Sequence, residues 1–469
     1  MTRSIALALF GATALAAMPP VRPAPPSRCF IVVLNVDREA IKKELFNDKT
    51  NITYDAGGHV RLRCRDQQVF LGADSISARS GEHVWLFGHA VYSDSTYRFA
   101  ADSMLYNLPR EKLEARGNVN VLDKSAGSTL TGPWVDYWRQ AKGVNDSARV
   151  EALLRPTVKY YVKPSPGETP RQTPYTIVAA HLKGFGQSRL TADSAVTLDR
   201  DSLHARSDSI TVDRGKPATS VQLLGKPATV RRAGADSFGV TGRDIRFRLE
   251  DDKLRELRSY IDASVTRAKT LVTGDTVAMS FVAEKLGLTL AWNRKTGATI
   301  RSEGYDVIGD SLAVETPGEV LREIRVFGHG QIQNPRDTTV RTVALLPGDV
   351  PKPDTVRNTL WGERILARFD QVDSAATQVT RLRVLDAYGK PPLQARSLFT
   401  RMVSGKNGPS PSTNYTRADT ILMKMKGGDS SGVAAVQAYG HVYGIQQEAL
   451  SLPKPKVDTV KPPSATGRP

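Results

Sequence analysis

Hydrophobic and polar positions alternate with a period of two along most of the chain. Ile245, Phe247 and Leu249 alternate with Arg246, Arg248 and Glu250. Val119 and Val121 alternate with Asn118 and Asn120, and Ile421, Met423 and Met425 share one face opposite Lys424 and Lys426. Period-two alternation predicts strands with one apolar and one polar face. Helical spacing is scarce. It predicts one helix over Asp37–Phe46, where Ile41, Leu45 and Phe46 fall on one face and Asn47, Asp48 and Asn51 end it.

The strands repeat. Leu86-Phe87-Gly88-His89-Ala90-Val91-Tyr92 returns as Ala115-Arg116-Gly117-Asn118-Val119-Asn120-Val121, as Val326-Phe327-Gly328-His329-Gly330-Gln331-Ile332 and as Ala438-Tyr439-Gly440-His441-Val442-Tyr443, with a looser copy at Leu224–Val230. A second element is an Asp followed by Ser ahead of a strand, at Asp74, Asp102, Asp193, Asp208, Asp236, Asp310 and Asp429. Spacings of about 30 residues mark stacked repeat units, each unable to close a core alone. Gly permits a positive φ or a bulge, and Asp and Ser cap turns through nearby amides. Both elements therefore have a structural explanation without chemistry. The expected fold is all-β, built of stacked antiparallel strand repeats in two or more modules.

Pro-rich stretches divide the 469 residues. Tyr161–Pro174 and Leu346–Asn358 read as linkers or long surface loops, and Pro453–Pro469 as a disordered tail. The expected organisation is a signal peptide over 1–20, a β module over 27–160, a second over 175–345, a third over 359–450 and the tail over 453–469. The leader rests on Arg3, the uncharged apolar run Ile5–Ala17 and the small residues that close it. That run is too short to span a bilayer, and no other stretch is long enough. In an exported chain the two cysteines, Cys29 and Cys64, suggest one disulfide worth about 3 kcal/mol, with two buried thiols as the alternative. Arg28 argues against lipidation of Cys29.

The balance of 65 Lys+Arg against 48 Asp+Glu gives a net charge of +17. That field favours anionic partners such as anionic lipid, acidic glycan or nucleic acid. Export and the small number of basic-aromatic clusters argue against nucleic acid. No nucleophile elbow, P-loop or zinc-protease motif is present, and Gly186-Gln187-Ser188 lacks the flanks of an elbow. No catalytic residue, cofactor or metal site is assigned. His89, His329 and His441 share one repeat slot, but Asn118 fills it in the best-formed copy, which a turn requiring a small polar group explains.

The stretch Ala73–Tyr137 resembles the OstA-like family, which includes periplasmic lipopolysaccharide-transport proteins. The carrying residues are Ala101-Asp102-Ser103-Met104-Leu105-Tyr106, Leu113-Glu114-Ala115-Arg116-Gly117-Asn118-Val119, Gly127-Ser128-Thr129-Leu130-Thr131-Gly132 and Val135-Asp136-Tyr137. Looser copies run to about Ile445. The resemblance implies a β-jellyroll or folded taco whose apolar inter-sheet groove receives acyl chains, and modules that join edge to edge. On that basis the expected protein is not an enzyme. It is a periplasmic, outer-membrane-associated lipid-binding or bridging protein of lipopolysaccharide transport or outer-membrane assembly. Its partners would be lipopolysaccharide or another acylated lipid, further copies of itself and other envelope transport proteins. Tail-facing candidates are Val119, Val121, Ile245, Phe247, Leu249, Ile421, Met423 and Met425. Anionic-rim candidates are Arg243, Arg246 and Arg248. The chain departs from a minimal transport protein in its length, its Pro-rich inserts and its N-terminal cysteine region. The second reading is a parallel β-helix enzyme or an adhesin directed at extracellular polysaccharide.

Overall fold

The computed structural model describes residues 29–448, apart from 47–48, 66, 80–81, 162–172, 187, 216–217, 235–236, 251–252, 284, 335–337, 344–351, 375–376, 406–407 and 426–432. The leader, the C-terminal tail, the first linker except its end residues, and the turn positions Asp236 and Asp429 lie outside the described residues. What is described is all-β. The one helical element is the 3-10 turn Pro317–Glu319, and every described strand pairing is antiparallel, as between Phe238–Glu250 and Lys253–Arg267. A parallel β-helix is thereby excluded. Among the described residues no helix is long and apolar enough to cross a membrane.

Two expectations are corrected. Arg38–Phe46 is a strand, not a helix. It pairs from Arg38↔Gly57 to Phe46↔Lys49 with the strand Lys49–Cys64, so cross-strand hydrogen bonding outweighs a weak helical spacing. Ile41, placed on the helix's apolar face, is 61% exposed. Within the second Pro-rich stretch, Lys352–Val356 is a strand paired with Thr338–Val343. Prolines are tolerated there because this is a two-stranded ribbon whose strands each keep an open edge.

The strands bend at a recurring device. Gly88 and His89 both have positive φ, 69° and 44°, and together face the single residue Asp102 between the register pairs Phe87↔Ser103 and Ala90↔Ala101. Two residues against one make a bulge, which bends the strand. A methyl group at Gly88 would overlap the Asp74 carboxylate, and His89 Nδ1 lies 2.8 Å from Asp74 Oδ2. The same arrangement recurs at Gly58-His59 with Asp37, Gly117-Asn118 with Asp102, Gly328-His329 with Asp310 and Gly440-His441 with Asp419. The strands carrying Ala-Asp-Ser answer with a change of phase. Ala73 and Ile76 are three apart, yet both are buried.

The chain divides into two compact units, Met1–Val119 with Val135–Val150, and Asn120–Trp134 with Glu151–Pro469. In the first, Cys29 and Cys64 form a disulfide. Its interior is aromatic and polar. Tyr92, Tyr106, Tyr137 and Phe99 are at most 1% exposed. Tyr92 and Tyr137 donate to Asp94 Oδ2 at 3.0 and 2.7 Å, and Tyr106 donates to Glu111. The Arg139 guanidinium meets both Glu111 oxygens at 3.0 and 3.2 Å. Burial raises all three phenols well above their ordinary range, so they remain donors.

In the second unit each long strand feeds two rows of apolar side chains, one on either side of its bend. One row passes through Leu182, Ala192, Ile210, Leu223 and Ile245, register partner to register partner. It continues through Ser259, Val277, Ala291, Leu312, Val326, Ile365, Ala387 and Ile421. The other passes through Ile177, Leu198, Ala205, Val230, Val240 and Val265, then Val272, Ile300, Val307, Ile332 and Leu360. Where a strand is interrupted, its halves still serve separate rows, as Lys285–Trp292 and Ala298–Arg301 do. All these residues are buried except the half-buried Leu198. With no helix to cover them among the described residues, the two half-sheets cover each other.

Candidate functional site

Among the described residues, two openings lead into the interior of the second unit. The first is a cavity of about 120 Å³. Its walls include Ile177, Leu198, Leu203, Val221, Phe247 and Leu249, members of both rows or their neighbours. Register explains the convergence: Val212↔Val221 and Val221↔Phe247 stack three side chains in one line, and Ile177↔Leu198 and Leu198↔Ala205 stack three in the other. Polar groups are few. Tyr160, Tyr175 and Arg214 lie in the wall, and the Arg214 guanidinium stacks 4.0 Å from the Tyr160 ring centroid. Arg200, its side chain 8% exposed, stacks 4.2 Å from Tyr175. Stacking on an aromatic face holds a guanidinium flat.

The second opening, of about 430 Å³, has Val265, Val272 and Ile300 in its wall, three successive members of one row, together with Leu286, Tyr305 and Arg267. Burial raises the Tyr305 phenol above its ordinary range, and the ring lies 5.8 Å from Phe369.

The sequence candidates fall in different places. Ile245 and Ile421 are fully buried members of the same row, and Met423 is as buried beside it. Phe247 and Leu249 line the first cavity. Met425 is half-buried, while Val119 and Val121 are 1% and 4% exposed on the strand Lys112–Asp123. The structure thus brings Ile245, Phe247 and Leu249 together on one strand and sets the remaining candidates along other strands.

Arg243, Arg246 and Arg248 lie on the exposed face, each beside an acid. Arg243 Nη2 is 3.0 Å from Asp262, Arg246 Nη2 is 2.6 Å from Asp244, and Arg248 Nη2 is 3.0 Å from Glu250. The hydrogen bond to Asp244 raises the Arg246 guanidinium further above its ordinary range. Sequence reasoning missed Arg200, Arg214 and Arg267. Nothing in local alternation marks them, because their role comes from Tyr175, Tyr160 and the cavity walls on other strands.

At the five bulges each Asp holds one His or Asn. Among the described residues no group of three or more His, Cys, Asp or Glu is placed to hold a metal ion.

No family model matches the chain, and no curated protein does. Among solved structures, one likeness is to LptH of Pseudomonas aeruginosa, described as the LptA-homologous periplasmic component of the lipopolysaccharide transport device. It has 15% identity and a TM-score of 0.20, and covers 23% of this chain and 73% of that one. The match spans under a quarter of the chain, so the description of the fold rests on the strand register.

Proposed function

We propose that the chain is an exported carrier that holds lipid acyl chains between the half-sheets of its second unit. The observation that carries this reading is the apolar cavity among Leu203, Val221, Phe247 and Leu249, continuous with two buried rows and lined by a tyrosine-stacked arginine. Burial of about eight methylenes contributes on the order of 6 kcal/mol before ordering costs. Arg214, in the cavity wall with its guanidinium stacked on Tyr160, is the headgroup contact this reading assigns. The role that fits is transport of an acylated glycolipid such as lipopolysaccharide, or outer-membrane assembly, in the periplasm. The last described strands, Val433–Tyr439 and Tyr443–Glu448, expose Val436, Tyr439 and Ile445. That apolar surface suits edge-to-edge contact with another copy or a partner module.

Native mass spectrometry of protein purified from envelope extract, with lipid analysis, tests the reading. Copurifying acylated lipid is expected, and Val221→Trp, which fills the cavity, should remove it while leaving the fold intact. A lipid-free protein that takes up no added lipopolysaccharide would overturn it.

A further inference from the structure

The outer face of the second unit carries an arrangement that the acyl-chain reading does not use. Register places Trp361 opposite Arg396, Arg396 opposite Arg417, and Arg417 opposite Tyr443, across four neighbouring strands. The two arginines turn away from each other in their stacking. Arg396 lies 5.6 Å from the Trp361 ring centroid and Arg417 lies 5.7 Å from that of Tyr443. Like charges directly opposite on neighbouring strands destabilise a sheet. Among the described residues neither guanidinium forms an ion pair, in contrast to Arg246, Arg248 and Arg325 on the same kind of exposed face. A cavity of about 320 Å³ opens over this row, with Trp361, Arg396, Arg417 and Tyr415 in its wall beside Glu363 and Gln394.

We propose that this cavity is a binding site for a saccharide bearing one phosphate or carboxylate. The indole and phenol rings offer flat apolar faces to the C–H side of a sugar ring. Arg396 and Arg417, opposite each other in register, supply guanidinium donors for an anionic group, and that group would relieve their mutual repulsion. The Glu363 carboxylate and the Gln394 amide oxygen supply acceptors for sugar hydroxyls, while Gln394 Nε2 donates to Asp419. The Glu363 carboxylate also argues for a mostly neutral polyol over a strand of successive phosphates, which it would repel. The site stands apart from the acyl cavity, and neither proposal depends on the other.

Titration calorimetry on the full chain, freed of lipid, tests it with trehalose 6-phosphate, trehalose, inorganic phosphate and oligothymidylate. Trehalose 6-phosphate is expected to bind at least tenfold more tightly than trehalose or phosphate alone. Arg396→Gln and Arg417→Gln should each weaken it at least tenfold without lowering the unfolding temperature, and Trp361→Leu should weaken both the phosphorylated and the neutral sugar. Equal binding of inorganic phosphate would remove the sugar from the proposal. Equal binding of trehalose would remove the anion. Tighter binding of oligothymidylate would assign the face to nucleic acid, and no binding of any probe would overturn the proposal.

Discussion

Gly88 is held by two independent constraints. Its φ of +69° disfavours any side chain, and the Asp74 carboxylate occupies the place of a Cβ. Gly88→Ala should therefore cost about 1–3 kcal/mol from backbone strain, with the steric overlap added to it. Asp74→Ala removes the overlap but not the strain, so in urea denaturation the double variant should lose less than the two singles together. Additive losses would show that the carboxylate does not press on this site. His89 carries the second residue-scale prediction. The hydrogen bond that its ring donates to Asp74 raises its pKa above the ordinary value, with Asp102 adding a smaller push in the same direction. A histidine raised on folding contributes stability that is fully present below its unfolded pKa and is lost as pH rises through the folded one. Asp419 has the opposite sign. Gln394 and then His441 lower it, so its contribution holds above the ordinary carboxylate value and is lost as pH falls through the depressed one. Proton NMR should show His89 titrating above an unperturbed histidine, and Asp74→Asn should return it. An unchanged titration in that variant would assign the shift elsewhere.

At the scale of elements, legibility in the sequence depended on how local each signal was. The Gly-His repeats and the Asp-Ser repeats were visible because bulge and phase change are each written within a few residues of one strand. What pairs them was not visible, since Asp310 and His329, 19 residues apart along the chain, meet only in the fold. The strand Arg38–Phe46 is disguised in the sequence because Ile41 and Leu45 share helical spacing, while its partner Lys49–Cys64 decides the outcome. Alternation places Arg246 and Arg248 on the outer face, yet Asp244 and Glu250, two residues away on the same strand, stand beside them. The buried Glu111–Arg139 pair left no trace in alternation at all. Glu111→Ala would leave the Arg139 charge half-buried and uncompensated, at a cost of about 3–5 kcal/mol. Calorimetric or urea unfolding measures this, and a loss below 1 kcal/mol would mean that water reaches the guanidinium. Cys64→Ser should cost about 3 kcal/mol against the oxidised protein and nothing against the reduced one.

For the whole molecule, the decisive feature is that contact passes from each strand to its neighbours. All-β stacking was legible because most strands announce an apolar face. The two continuous rows were not, because membership is set by register: Ser259 sits fully buried between Ile245 and Val277 although its residue type suggests the surface. A stack of this kind behaves as a quasi-one-dimensional array, in which stability is a sum of local and nearest-neighbour terms. The register then fixes where damage spreads. Ile245→Ala opens a cavity in a row and should cost about 2–5 kcal/mol. That loss should fall on the strands Ala218–Arg232, Phe238–Glu250 and Lys253–Arg267, which touch the site directly. Amide exchange followed by mass spectrometry should show protection falling in those three strands. Protection should be retained around Ile421, in the same row but eight strands further along. A uniform fall from Ile177 to Ile421 would instead show that the unit unfolds as one cooperative block, with the rows transmitting strain along their whole length.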